Sequence, residues 1–255
     1  MKNIWMTALT KEQVTAVTIT GIAAQYGLNA DGHFWTNDLK NMAWTAVRDQ
    51  LQDKNIALWV IAGSAEDLVP ETRYGLTLLC LNIRTERPNL SILWVNSERQ
   101  PSLEALPSVF APFPQVDIKS NLLGAKLAAG ANTAAKSPSI EYRLGVHANP
   151  GFGVWFEIGP AAEQKWPGAM FAITGGEITA HGVGPAGTLP QKCVLEYPMQ
   201  GMQLKLGEAE YTGWAVANTL DGKSSYFVKV DGVPSGFLFG PATEGEEAEV
   251  HVVSI

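Results

Sequence analysis

The sequence predicts an α/β domain, with a parallel sheet between two layers of helices, followed by an all-β domain. Three short runs in the first half, around Trp5, Trp59 and Trp94, are apolar on both faces and are separated by helical stretches. That combination is typical of a parallel sheet covered on both sides. The second half has many short alternating segments between glycine turns, which indicates an antiparallel sandwich or barrel.

Composition and charge narrow the class of protein. The chain has 255 residues, of which 46% are hydrophobic and 17% charged, and this describes a globular protein with a sizeable core. A net charge of -7 repels a phosphate backbone, so we expect no nucleic-acid partner. We also expect no membrane partner, because no apolar run is long enough to span a bilayer. The first apolar run is too short for a signal-peptide core, which predicts a cytoplasmic location.

The first helix is predicted directly after the first strand. Thr10-Lys11-Glu12-Gln13 reads as a capping box, and Gly27 and Asn29 supply stop signals. The segment 29–33 that follows reads as an exposed loop. A second helix is predicted from an apolar stripe at three- and four-residue spacing. The stripe consists of Leu39, Met42, Ala46, Val47 and Leu51.

The stretch after the second apolar run opens with Ser64, which can cap a helical turn. Pro70 suits the first turn of a further helix, and Pro88 ends that helix. After the third run, the proline-rich stretch 101–114 is predicted to be an apolar packed flap, with one short edge strand near Val109-Phe110. An alanine-rich helix then begins near residue 122.

The sequence pattern changes at Ser137-Pro138-Ser139: glycines become frequent and long helical stripes disappear. This change predicts an α/β domain over residues 1–136 and an all-β domain over residues 137–255. Beyond this joint, short alternating segments follow one another between explicit turns. The expected strands are Tyr142–Val146, Phe152–Ile158, Ala169–Ile173, Val194–Tyr197, Met202–Leu206, Trp214–Val216, Phe227–Val230, Phe237–Phe239 and Val250–Val253.

The first half resembles flavodoxin-like or Rossmann-like α/β domains, and also TIR-like ones, in the order of its elements. This is an analogy of fold that carries no function. The run Thr7-Ala8-Leu9-Thr10 is similar to the hydroxyl-rich phosphate loop of flavodoxins, but it lacks the glycine of that loop. Neither G-x-G-x-x-G nor G-x-x-x-x-G-K-[ST] occurs at the positions that dinucleotides or nucleoside triphosphates require. We therefore expect no cofactor.

Candidate catalytic residues follow from the rule that parallel sheets bind ligands beyond the carboxyl ends of their strands. That edge carries Ser64, Asp67, Asn96 and Glu98. Ser64 follows a strand as a hydrolase nucleophile does, but Glu66 replaces the second glycine of G-x-S-x-G. Helix capping explains this serine with less strain, and we favour it over the nucleophile. His33 completes the set, with Asp31 as a conceivable orienting partner.

Candidate binding residues are aromatic. Trp155 alternates out of an apolar set and Trp166 lies in a loop, while Phe110 and Phe113 belong to the flap. Such rings fill cores, anchor protein interfaces or stack on sugars, and we rank these roles in that order.

Metal and disulfide chemistry are not expected. The histidines lack the close spacing of a zinc site, and the acidic run 244–249 lacks the spacing of a calcium loop. Cys80 and Cys193 fall in different halves of the chain, so we expect both to be reduced core residues.

These features together favour a cytosolic binding or regulatory protein, with a protein or small molecule as its partner. Recognition would use the aromatic flap and the surface of the β-domain. The alternative is a hydrolase or transferase with a site at the carboxyl edge of the parallel sheet. The sequence leaves open which of the two applies, as well as the substrate and the oligomeric state.

Overall fold

The chain forms two compact units, Met1–Ser137 and Pro138–Ile255. The computed structural model describes residues 1–9, 11–98, 105–135, 141–192, 194–242 and 249–255. The expected joint at Ser137-Pro138-Ser139 lies outside the described residues. The fold class is confirmed, since a parallel sheet with helices is followed by two antiparallel sheets.

The parallel sheet of the first unit has five strands in the order β2-β1-β3-β4-β5. The direction of the strand order therefore changes between β1 and β3, which is the point where sheets of this order commonly bind ligands. The strands are β1 (Lys2–Ala8), β2 (Leu28–Phe34), β3 (Ile56–Gly63), β4 (Ser91–Asn96) and β5 (Gln115–Asp117). The helices are α1 (Gln13–Gln25), α2 (Trp44–Leu51), α3 (Pro70–Glu86) and α4 (Leu123–Asn132).

One face of this sheet is aliphatic and is covered by α1 and α4. Leu58 and Val60 of β3 pack there with Leu93 of β4, and Ile19 and Leu127 contribute from the two helices. These side chains are fully or almost fully buried. The hydrophobic effect of this cluster therefore fixes the layer on that side of the sheet.

The opposite face carries the tryptophans. Trp5 and Trp59 are direct partners across β1 and β3, and Trp94 follows two residues after Ile92, the partner of Trp59. All three indoles thus share one face. Phe110 packs its ring against Trp59 and Trp94, at centroid distances of 6.1 and 6.4 Å.

Two expectations for this unit were wrong at the edges of the sheet. The segment read as a loop over residues 29–33 belongs to β2, where Gly32 lies so close to β1 that a Cβ would collide with the Met6 carbonyl. Val109-Phe110 belongs to a short 3-10 helix, Ser108–Phe110, and β5 forms the edge strand. Glycine and proline residues suggested loops at both edges of the sheet. Backbone pairing with a neighbouring strand outweighs such weak local propensities.

Two helices begin later than expected. Helix α1 starts at Gln13 with Glu12 as its N-cap, and Thr10 of the expected capping box lies outside the described residues. Helix α2 starts at Trp44, since Met42 adopts a φ of 51° and interrupts the helical path after Leu39. The apolar stripe thus contains both a turn and a helix. No described helix combines the length and the hydropathy needed to cross a bilayer.

The second unit is a sandwich of two antiparallel sheets, with strand orders β10-β11-β8-β13-β14 and β6-β7-β12-β9. Phe156 of the smaller sheet packs on Phe171 and Phe237 of the larger one at 5.2 and 4.9 Å. The strands are β6 (Tyr142–Asn149), β7 (Gly153–Pro160), β8 (Ala169–Thr174), β9 (Glu177–Pro185), β10 (Met199–Leu206), β11 (Ala209–Val216), β12 (Ser224–Asp231), β13 (Gly236–Pro241) and β14 (His251–Ser254).

Two details of the sandwich differ from expectation. Val194–Tyr197 is not a strand, and Val194 and Tyr197 are exposed. Strand β9 escaped prediction because its glycines break the apolar alternation. Gly184 is needed there, since a Cβ would meet the ring of Pro190 at 2.7 Å.

Candidate functional site

The first unit contains a cleft of about 380 Å³ on the tryptophan face of the sheet, beside edge strand β2. Its walls come from β1, from the end of β2 with the residues that follow it, and from α2. A volume near the lower end of the usual range for small-molecule sites suits a compact ligand. The aromatic residues of the walls are Trp5, His33, Phe34, Trp35 and Trp44.

Trp5 and His33 form one wall together. The indole Nε1 of Trp5 donates a hydrogen bond to Nδ1 of His33 at 3.2 Å. The planes of the two rings make an angle of 26°, and the ring centroids are 5.9 Å apart. The hydrogen bond and the ring contact together hold the indole and the imidazole in place beside each other.

The same bond determines the protonation of His33. A nitrogen that accepts a hydrogen bond carries no proton, so the proton of the neutral imidazole is on Nε2. Burial lowers the pKa of His33 to about 4, and the ring is therefore neutral at pH 7. Nε2 is buried and has no hydrogen-bond partner among the described residues.

The other two indoles of the cleft differ in whether their N–H group has a hydrogen-bond acceptor. Nε1 of Trp35 donates to Oδ1 of Asn37 at 2.7 Å, and the same oxygen accepts from Thr72 on α3. Nε1 of Trp44 is buried, and no acceptor for it lies in the described part of the chain. Trp44 is itself only 2% exposed, so its N–H donor has lost water without gaining a protein partner.

The cleft carries little charge. Asp31 lines it, and Gln50 adds a neutral amide. Arg48 of α2 is engaged by its neighbour Asp49 at 2.8 Å. The described residues that line the cleft include neither lysine nor arginine. Besides the histidine and the tryptophans, its polar side chains are one carboxylate, one amide and one hydroxyl, from Asp31, Gln50 and Thr36.

The candidates at the carboxyl edge form a helix cap. The backbone N–H of Ser64 donates to Oδ2 of Asp67 at 2.8 Å, and its hydroxyl donates to the same oxygen at 3.1 Å. Asp67 thus closes the 3-10 turn Ala65–Asp67. Asn96 lies nearby as the strand partner of Gly63, is buried, and has an Oδ1 without a partner among the described residues. Glu98 is exposed.

The strand order separates His33 from Ser64. β1 lies between their strands, and the register places Thr7 opposite both His33 and Ile61. Strand spacing and rise then put the two Cα atoms roughly 14 Å apart. The point where the strand order changes is covered by Leu9, whose Cδ1 would lie 2.8 Å from a Cβ at Gly63. A catalytic role for the edge residues stays a prediction.

The aromatic binding candidates are largely packed. Phe110 and Trp166 are 3% and 5% exposed, so neither ring is free for a partner in this structure. Phe113 is half-buried and lies under the guanidinium of Arg84 at 5.5 Å. Trp155 is also half-buried, with its Nε1 donating to the carbonyl of Phe152 at 3.1 Å. Of this set, Trp155 and Phe113 keep partial exposure.

The sandwich contains a polar network that the sequence analysis missed. Glu157 is 7% exposed and its carboxylate meets Nε2 of His147 at 2.6 Å. It also accepts from the Ser225 hydroxyl and from the Gly187 backbone N–H, both at 2.7 Å. Burial acts to raise the pKa of Glu157, but these hydrogen bonds together lower it below its usual value. The partners come from distant segments, and sequence spacing gives no signal for them.

Arg143 extends this network. Its guanidinium donates to the Ser225 hydroxyl at 3.0 Å and to the Ser224 carbonyl at 2.6 Å. Gly159 makes the room, since a Cβ there would lie 2.6 Å from the guanidinium. The carboxylate of Glu157 is thus satisfied within the protein, and we interpret the network as a structural one.

Metal binding has no support in the described ranges, because no three His, Cys, Asp or Glu side chains converge there. Cys80 is free and buried. Burial raises the pKa of its thiol to about 12, so it is unreactive at neutral pH. Cys193 lies outside the described residues.

In comparisons with known proteins, the chain matches no family model, no curated protein and no solved structure. The geometry of the aromatic cleft is therefore the basis on which a function can be proposed. His33 is the one predicted site residue that the cleft contains. Trp35 follows a segment expected to be a loop and Trp44 lies within the predicted second helix, and neither position indicates which cavity the ring lines.

Proposed function

We propose that this chain is a binding protein whose α/β unit takes up a small molecule in the aromatic cleft. The observation that carries the proposal is the cleft itself, which encloses about 380 Å³ and has five aromatic residues in its walls. The apolar surface that a ligand buries against such rings is the main source of affinity in sites of this kind.

The shape of the cleft supports the same proposal. Trp5 is held by its bond to His33, and Trp35 by its bond to Asn37. Two of the aromatic walls are thus fixed before any ligand arrives. A wall ordered in advance lowers the entropic cost of binding. This is the arrangement expected of a preformed site that is mostly apolar and has few polar groups.

A screen of small, chemically diverse fragments by ligand-observed NMR tests the proposal. Ala46 lines the cleft on the exposed side of α2, so Ala46→Trp fills the cleft without disturbing the core. Ala24 is an exposed alanine on α1, on the opposite side of the sheet, and Ala24→Trp is the matched control. We expect a set of fragments that bind the wild type and Ala24→Trp but not Ala46→Trp.

Two outcomes would contradict the proposal. If Ala46→Trp keeps the thermal stability of the wild type and binds the same fragments with the same affinity, the cleft is not the binding site. If no fragment binds any of the three proteins, the proposal is also wrong.

A further inference from the structure

We infer that the outer face of the α1/α4 layer binds a second copy of this chain, with α1 of one copy packed antiparallel on α1 of the other about a two-fold axis level with Ile19. The inference goes beyond the aromatic cleft, which lies on the opposite side of the parallel sheet. Three observations carry it: the exposed apolar residues of the two helices, the scarcity of charge on them, and the match of α1 to itself.

The apolar residues of α1 lie all around the helix. Thr15, Ile19 and Ala23 are buried on the side that faces the sheet. Val14 and Val17 lie on the outer side and are 74% and 69% exposed. A helix that is apolar on all sides is normally covered on all sides. The outer face of α1 is therefore expected to have a partner.

Helix α4 lies beside α1 and continues the same surface. The two helices pack closely, because a Cβ at Gly124 would collide with the ring of Tyr26, the C-cap residue of α1. Leu122, the N-cap residue of α4, is 56% exposed, and Ala125 and Ala129 are exposed as well. These three residues follow one another at intervals of three and four, so they share one face of α4. Both helices thus turn an apolar face away from the sheet.

The layer carries very little charge. No residue of α1 from Gln13 to Gln25 is charged, and Lys126 is the single charged residue of α4 from Leu123 to Asn132. The helices on the other side of the sheet, α2 and α3, contain Arg48, Asp49, Glu71, Arg73, Arg84 and Glu86. The α1/α4 face therefore offers an ionic partner almost nothing to pair with.

This lack of charge favours a second copy over a membrane. Helices that lie on a bilayer carry lysines and arginines around their apolar face, and a net charge of -7 is repelled by anionic lipids. The same net charge makes two copies of the chain repel each other. They approach with least repulsion where their surfaces are uncharged, which is the outer face of the α1/α4 layer.

The outer face of α1 is complementary to itself. When two copies of α1 lie antiparallel about a two-fold axis level with Ile19, each residue faces the one equally far beyond Ile19 in the other copy. Val14 then faces Ala24 of the second copy, and Val17 faces Gly21. Both small residues are exposed, and a Cβ at Gly21 would have no atom within 4 Å. Each valine thus meets a space that can hold it, as ridges fit grooves between packed helices.

The ends of α1 also match in this arrangement. Gln13 faces Gln25 of the second copy, both are exposed, and their amides can exchange hydrogen bonds. The positive end of each helix dipole lies beside the negative end of the other, which is favourable. Helix α1 has no acidic residue in its first turn and no basic residue in its last turn to offset its own dipole. The antiparallel copy supplies that compensation.

The size of the face sets the strength of the contact. Helices of 13 and 10 residues are about 20 and 15 Å long and pack about 10 Å apart. Their outer face therefore spans on the order of 400 Å², against about 800 Å² per partner in a standard interface. We expect a reversible dimer with a dissociation constant in the micromolar range.

Sedimentation velocity of the full chain tests the inference over a range of concentrations that brackets micromolar dissociation, from about 1 to about 300 µM. The weight-average sedimentation coefficient of the wild type should rise from that of a monomer towards that of a dimer. Val17→Glu buries a charge in the contact and should raise the dissociation constant about tenfold or more. Val194→Glu is the matched control, because Val194 is a valine of the second unit that is 80% exposed. It should leave the dissociation constant unchanged.

Mixing two variants tests the antiparallel pairing. Gly21→Lys fills the space that Val17 of the second copy needs, so it should also weaken self-association about tenfold or more. In a mixture of Val17→Glu and Gly21→Lys chains, the new carboxylate and the new ammonium face each other. Mixed dimers should therefore form at concentrations where neither variant associates alone.

Three results would overturn the inference. If the wild type stays monomeric over the whole range, a second copy is not the partner of this face, and this measurement needs no variant to fold. If Val17→Glu associates as tightly as Val194→Glu, the contact lies elsewhere. If Val17→Glu and Gly21→Lys do not associate in a mixture, the helices do not pair antiparallel about Ile19. Each result is independent of ligand binding in the aromatic cleft.

Discussion

The indole of Trp5 reaches diagonally across the edge of the parallel sheet to the imidazole of His33. The strand register places Trp5 opposite Asp31, and the hydrogen bond from Nε1 ends on Nδ1 of His33, two residues further along β2. This bond ties the edge strand to β1 through side chains as well as through the backbone. It also fixes the tautomer of the neutral imidazole, with its proton on Nε2.

The first prediction concerns acid. The pKa of His33 is about 4 in the folded protein and about 6.5 in the unfolded chain, so between these values the unfolded state binds more protons. The contribution of the neutral His33 ring to the free energy of unfolding is fully present above pH 6.5. It decreases by about 1.4 kcal/mol per pH unit as the pH drops towards 4. Urea titrations of the wild type and His33→Gln over this range measure the difference.

Asp31 and the other carboxylates are common to both proteins, so their titration cancels in that comparison. The free energy of unfolding should fall more steeply in the wild type than in His33→Gln. Parallel pH profiles for the two proteins would show that His33 is not held neutral by the fold.

A second prediction concerns the centre of the sheet. Nε1 of Trp59 donates to Oγ1 of Thr7 at 2.9 Å, and both residues are fully buried. Thr7→Val keeps the volume of the side chain and leaves the indole N–H without an acceptor, which should cost about 1–3 kcal/mol. Thr7→Ser keeps the acceptor and should cost less. Chemical denaturation checks this order, and equal stability of Thr7→Val and the wild type would contradict it.

The central strands could be predicted because their sequences carry the whole signal. The runs around Trp5, Trp59 and Trp94 are apolar on both faces and are separated by helical stretches, which is typical of a parallel sheet between two layers of helices. The edge strand β2 could not be predicted in this way, because Asn29, Asp31 and Gly32 are residues typical of a turn. Its pairing with β1 depends on a partner distant in sequence.

The site was predictable only in part for the same reason. His33 was a candidate because histidines are rare in the first half and often functional. Its actual surroundings depend on the bond to Trp5, and residue types alone do not reveal such a bond. Ser64 and Asp67 do form the capping interaction that was the simpler of the two interpretations.

A third prediction concerns the buried network of the sandwich. Glu157→Gln removes the charge that receives hydrogen bonds from His147, Ser225 and Gly187, and it should cost about 1–3 kcal/mol at pH 7. The folded-state pKa of Glu157 lies below its usual value, so the wild type should lose this advantage as the pH falls below 4.5. Thermal unfolding at several pH values measures both effects.

Glu177→Gln is the matched control for the network, because Glu177 is an exposed glutamate on the same sheet. Its effect should stay within about 0.5 kcal/mol. Equal destabilisation by the two substitutions would mean that the buried hydrogen bonds of Glu157 contribute nothing beyond a surface charge.

A fourth prediction concerns the thiols. Cys80 is fully buried and the pKa of its thiol is raised to about 12. In a Cys193→Ser variant, where Cys80 is the remaining cysteine, an aromatic disulfide reagent should label no thiol in the native protein and one thiol per chain in denaturant. Rapid labelling of the native variant would show that helix α3 opens readily or that Cys80 is accessible.

The most direct test of the cleft as a ligand site is the ¹H–¹⁵N spectrum of the eight indole N–H groups during a titration with a fragment whose binding Ala46→Trp abolishes. The resonances of Trp5 and Trp35, whose rings line the cleft, should shift as the fragment binds beside them, while that of Trp166, which is not among the lining residues, should stay in place. A titration in which neither the Trp5 nor the Trp35 resonance moves, or in which Trp166 responds in their stead, would contradict the assignment of this cleft as the binding site.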